Sequence, residues 1–144
     1  LLVFAGWKEN DMGVLRSDDG VVVFKQEGVG EIRRVESGDV TVEFAHVDRA
    51  IDPTPLFRGL PDDMCQCRHQ GYVVRGQLTF KTKDGPLDVA AGEAFDVGPG
   101  HIPLPLDGCE WVQFTATVDQ RKTDEAIRRN AAAAATAPTG VTDA

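Results

Sequence analysis

At 144 residues the chain has room for one domain with a real core and not for two. Its 42% hydrophobic and 26% charged composition is that of an ordinary globular protein. A net charge of −8 is the wrong sign for neutralising phosphates, so neither nucleic acid nor an anionic membrane surface is an expected partner.

In chain order, residues 1–20 form an N-terminal arm. Its apolar start, Leu1 to Trp7, lacks the basic flank and cleavage pattern of an export signal. No apolar run approaches the roughly 20 residues that span a bilayer. Short strand-like runs follow, separated by Gly, Pro and Asp. Residues 21–24 follow Asp18-Asp19-Gly20, residues 31–35 follow Gly28-Val29-Gly30, and Val40–Val47 follows Ser37-Gly38-Asp39. In the last of these, Val40, Val42, Phe44 and His46 alternate with Thr41, Glu43 and Ala45, the period of a half-buried strand. Residues 48–64, interrupted by Pro53, Pro55, Gly59 and Pro61, read as a long loop.

A second strand series runs through residues 65–74, 77–81 and 87–89, with a hairpin turn at Lys83-Asp84-Gly85. It continues with Ala94–Val97, a corner at Gly98-Pro99-Gly100 and a last strand over 110–118. Many short strands at short intervals predict an all-β sandwich or barrel over residues 21–119. Residues 120–135 carry the helix, with Thr123 as a cap, Asp124 and Glu125 suiting its positive end, and an alanine run behind them. Residues 136–144 are expected to be a disordered tail.

Taken as one strand, residues 65–74 put Cys65, Cys67, His69, Gly71 and Val73 on one face. Val73 must bury, so two thiols and an imidazole point inward. His101 follows the Gly-Pro-Gly corner on a later strand and could come opposite. Cys and His together suit a borderline or soft metal, so Cys65, Cys67, His69 and His101 are the candidate ligands for zinc, iron or copper. The competing reading is that the cysteines are small core residues and the interior holds a metal-free ligand pocket. A strained Cys65–Cys67 disulfide is a third alternative. His46, Phe80, Phe95 and Trp111 are the candidate pocket residues under either of the first two readings. Cys109 is read as structural. Three cysteines, an odd and sparse set, argue against a disulfide-stapled secreted domain and point to the cytoplasm. There is no glycine-rich phosphate loop, so no nucleotide cofactor is expected, and no serine nucleophile elbow.

The segment from Asp63 to Phe114 resembles the cupin superfamily. Tyr72-Val73-Val74-Arg75-Gly76 is similar to the end of that family's first motif. Gly92 to Phe95, followed by Gly98-Pro99-Gly100-His101, is similar to its second. The resemblance implies a small jelly-roll barrel (a double-stranded β-helix) with a short C-terminal helix, a small-molecule ligand and a homodimer. It also implies metal-dependent oxygenase, isomerase or lyase chemistry where a metal is held. Counting back from Gly76, His69 stands at the family's Glu, Cys65 at its second His and Asp63 at its first. Pro103 stands at the last His, and His101 comes two residues early. The usual three-His, one-Glu set is therefore replaced by a Cys/His version.

Overall fold

The computed structural model describes residues 13–136. The apolar start at Leu1 to Trp7 and nearly all of the tail assigned to 136–144 lie outside the described residues. Nine strands are followed by one helix: β1 (Val21–Gln26), β2 (Gly30–Ser37), β3 (Val40–Val47), β4 (His69–Arg75), β5 (Gln77–Thr82), β6 (Gly85–Ala90), β7 (Ala94–Val97), β8 (His101–Pro105), β9 (Cys109–Ala116) and α1 (Thr117–Thr136). They build two antiparallel sheets, a six-stranded one in the order β1-β2-β3-β9-β4-β7 and a three-stranded one in the order β6-β5-β8. The expected mostly-β fold with a C-terminal helix is present. Among the described residues the ladders do not join into a closed barrel. An isolated bridge between Cys65 and His101 is the pairing that links the chain before β4 to β8.

Alternation decides what lies between the sheets. On β9, Cys109, Trp111, Gln113 and Thr115 are buried, and the residues between them are less so. On β4 and β5 the inward positions include Val73, Leu78 and Phe80, all fully buried. Gly71 has a specific reason: a side chain there would collide with the Phe95 ring and the Val112 carbonyl. The ring of Phe95 takes the space instead. Gly76, at φ +73°, turns the chain from β4 into β5 with the Cys109 backbone too close for a Cβ.

Two expectations change. The first is the phase of β3. Thr41, Glu43, Ala45 and Val47 face inward, and His46, expected as a pocket residue, is exposed. Alternation fixes which residues share a face but not which face is inside. The outer face here is apolar too, with Val40, Tyr72 and Phe114 each exposed by two-fifths or more. The second is the helix start. α1 begins at Thr117, six residues before the expected cap at Thr123. Thr117 and Val118 continue the β alternation by propensity, but the tertiary setting wins. The Thr117 N–H donates to the Asp39 carbonyl at 2.9 Å, and its hydroxyl lies 2.9 Å from that of Thr41.

The helix lies over the polar end of the interior. Its buried positions are Thr117, Gln120, Thr123 and Ala126, with Ile127 half-buried. Ala126 and Ile127 together contribute about 2 kcal/mol of apolar burial, less than one fully buried aromatic of the sheets can supply. The loop 48–64, which contains two short 3-10 turns, brings Phe57 against this edge. Asn130 donates to the Leu56 and Arg58 carbonyls at 2.7 and 2.9 Å.

Candidate metal centre

Cys65 lies ahead of β4 rather than in it. Its N–H donates to the His101 carbonyl at 2.8 Å, and its carbonyl accepts from the Gly100 N–H at 2.8 Å. That bridge sets the two residues side by side across the gap between sheets. His69 opens β4 and pairs with Thr115 of β9 and Val97 of β7. On the outer surface Arg68 forms a two-pronged ion pair with Asp96 at 2.9 and 2.7 Å, which fastens the start of β4 to β7. The inward parity of Cys65, Cys67 and His69 holds although the chain is not a strand until His69: Arg68 and Gln70 are exposed, and Gln66 is intermediate.

Three of the four expected ligands gather. The ligand atoms of Cys65, His69 and His101 all lie within 4.8 Å of one another, and all three residues are buried. The Cys65 Sγ is 3.5 Å from the His69 Nε2. The two imidazoles meet edge-on with ring centres 5.1 Å apart. Cys67 is buried beside them, but its Sγ meets the Thr123 hydroxyl of α1 at 3.2 Å. The three cysteines are free thiols. Asp63, at the family's first His position, accepts from the Gly59 N–H at 2.9 Å and is exposed. Pro103 has no donor to offer, and His101 supplies the third group from two residues earlier.

Hydrogen bonds fix how each imidazole is presented. The His101 Nδ1 is 2.6 Å from the Gly98 carbonyl, which can only accept, so Nδ1 carries the proton. The Nε2 is then a bare lone pair. It is buried without a hydrogen-bond partner among the described residues. The His69 Nδ1 bonds the Thr115 hydroxyl at 2.5 Å, leaving Nε2 turned toward Cys65. Burial, then the nearby His101 and Arg34, pushes the His69 pKa down to about 3. Burial also lowers that of His101, against the pull of the Gly98 carbonyl. Both rings are therefore neutral near pH 7, the state in which imidazole binds a metal. The Cys65 thiol is pushed up, first by its hydrogen bond with Cys67 and then by burial. The same bond holds Cys67 down, because one thiolate is favoured when the neighbouring S–H points at it.

The aromatic residues expected to line a pocket are packed instead. Phe80 stands at 90° to the His101 ring, 5.4 Å away, and Phe95 lies 5.1 Å from Phe80. Trp111 is buried in the same cluster. An open groove lined by Asp39, Thr117, Arg121 and Glu125 lies at the base of α1, outside the sandwich and apart from the Cys/His group.

Sequence reasoning passed over Thr115 and the Gly98 carbonyl, and read Thr123 only as a helix cap. Thr115 shares the parity of Trp111 and Gln113, so the strand pattern could have placed it inside. The other two act through contacts that only the folded chain makes.

No family model matches the chain, and no curated protein matches it. Solved structures share its fold. The polyketide cyclase RemF from Streptomyces resistomycificus superposes with a TM-score of 0.51 at 14% identity, over 73% of this chain and 79% of that one. A protein of unknown function from Rhizobium leguminosarum bv. viciae 3841 superposes with a TM-score of 0.51 at 14% identity, over 74% of this chain and 96% of that one. RemF is a cupin-like barrel protein, and the likeness is one of fold.

Proposed function

We propose that the chain is a small single-domain cupin that binds a divalent transition metal between its sheets through Cys65, His69 and His101. The observation that carries the reading is the buried, unpartnered Nε2 of His101, aimed at a thiol and a second neutral imidazole. An unmet buried acceptor is costly, and a coordination bond is the interaction this trio is built to make. The Gly98 carbonyl and the Thr115 hydroxyl hold the two rings by their other nitrogens, as partners of metal-binding histidines do.

A thiolate with two imidazoles suits zinc, iron or copper better than magnesium or calcium. Three protein donors leave a coordination position open, where such an ion would polarise an oxygen of a bound small molecule. A bound metal would draw the thiolate to Cys65, reversing the order of the metal-free pair, in which the hydrogen bond with Cys67 and burial keep Cys65 protonated. The acidic surface supports a protein that binds neither nucleic acid nor an anionic membrane. Among the described residues no helix is long and apolar enough to cross a membrane. A cytoplasmic protein paired as a homodimer through the apolar outer face at Val40, Tyr72 and Phe114 completes the reading.

Elemental analysis of the full chain purified without chelator tests it. About one equivalent of zinc, iron or copper is expected, lost in Cys65→Ser and His101→Gln and kept in Cys67→Ser. Wild-type protein that stays metal-free and is not stabilised by any of the three ions would leave a metal-free binding module as the better account.

A further inference from the structure

The inner face of the six-stranded sheet carries a second polar group that the Cys/His trio does not use. Arg34, Glu43 and Gln113 stand side by side on β2, β3 and β9, and in the next row Thr41 and Thr115 lead to His69. Arg34 donates through Nε to Glu43 at 2.7 Å and through Nη1 to Asp124 of α1 at 2.7 Å. Gln113 donates to the other oxygen of Glu43 at 3.2 Å. Glu43 alone balances the charge of Arg34. The Asp124 carboxylate is a second anion on the same guanidinium, supplied by a different element.

The surfaces that meet here are both polar. Thr117 of α1 meets Thr41, Asp124 meets Arg34 beside Glu43, and Gln120 and Thr123 are buried on the same side of the helix. A helix meant only to seal a core would bury a stripe of leucine or isoleucine. Two polar surfaces can part and both accept water, which an apolar seal cannot do without penalty.

We propose that Arg34 is the anchor of a binding site for a small organic carboxylate, occupied in the closed form by the side chain of Asp124. An entering hydroxy or keto acid exchanges its carboxylate for that of Asp124 as α1 lifts. One carboxylate replaces another on Arg34, so the charge at the guanidinium is unchanged. Thr41 and Gln113, on the same face of the sheet, offer hydrogen-bonding groups to its remaining oxygens. The site adjoins the proposed metal centre and does not depend on it.

The test is calorimetric or NMR titration of the full chain with lactate, in excess chelator so that no metal contributes. Lactamide, which lacks the carboxylate charge, is the control. Lactate is expected to bind the wild type weakly and Asp124→Ala about ten-fold more tightly, because the internal competitor is gone. Asp124→Asn, which keeps the side-chain size, is expected to shift affinity in the same direction. Arg34→Gln combined with Glu43→Gln, which removes both sheet charges together, is expected to abolish binding. Equal affinity in wild type and both Asp124 variants would overturn the proposal. So would lactate binding that survives in the double variant, or lactamide binding as well as lactate. Because metal is absent throughout, failure here leaves the metal reading standing, and a failed metal analysis leaves this result untouched.

Discussion

The two ends of the interior are built on opposite principles. At one end Val47, Val73, Leu78, Phe80 and Trp111 pack as a continuous apolar cluster. At the other, Thr41, Glu43, Gln113 and Thr115 are buried under a helix whose inward face is itself mostly polar. The Cys/His trio lies at the seam. The apolar end draws its energy from removing area from water. The polar end draws little from area, and its hydrogen bonds mainly avoid the cost of leaving buried groups unmet. The lesson is a division of labour: burial of apolar area holds one end together, and satisfied hydrogen bonds order the other.

The sharpest way to expose the difference is pH. In metal-free protein, His69 is held neutral by burial, with its pKa pushed down to about 3 against 6.5 in the unfolded chain. The unfolded state therefore takes up the proton first. Stability from this residue is fully present above pH 6.5 and is lost as pH falls from 6.5 toward 3, by up to about 5 kcal/mol. Urea unfolding at stepped pH with chelator present should show that loss, and His69→Gln should remove this part of the slope. An unchanged slope in the variant would mean that His69 is not held neutral.

Truncation at the apolar end comes next. Leu78→Ala, at a fully buried site, should cost about 3 kcal/mol in urea unfolding, from lost transfer energy and the cavity left behind. A loss under 1 kcal/mol would show that this end is not the mainstay of the fold.

At the polar end the outcome should depend on how charge is removed. Arg34→Met alone leaves Glu43 buried with only Gln113 as partner and should cost about 2 kcal/mol. Arg34→Met with Glu43→Leu should cost clearly less than the single change, because the uncompensated carboxylate goes too. Additive costs in this pair would contradict the account. The smallest effect is expected at the helix. Thr123→Val removes the hydroxyl that meets Cys67 and should lower stability by about 1 kcal/mol or less. It should speed amide exchange within α1 more than in β4 or β9, as measured by hydrogen-exchange mass spectrometry.

Much of the architecture was legible beforehand because it follows from local rules. Period-two alternation with Gly and Pro punctuation placed Val40–Val47 and Ala94–Val97 at their observed bounds. The same parity put Cys65, Cys67 and His69 inward. Three limits of local reasoning also show. Alternation could not say which face of β3 is inside, because Val40, Val42 and Phe44 make the outer face look like a core, so His46 was turned the wrong way. Propensity kept Thr117 and Val118 in a strand, where contacts with Asp39 and Thr41 start a helix. Spacing made Cys67 a ligand beside Cys65, but its thiol is engaged by Cys65 and by the hydroxyl of Thr123, a residue 56 positions away.

By itself the sequence determined the β-rich class, the order of the elements and the set of side chains able to bind a metal. Those properties depend on which residues are neighbours along the chain. Only the tertiary structure decided which donors meet, that Gly98 and Thr115 orient the two imidazoles, and that Asp124 reaches Arg34 across 90 residues. These depend on strand register and on the seating of one helix. Both are set by the balance of burial and hydrogen bonding over the whole domain, and no local stretch of the chain encodes that balance.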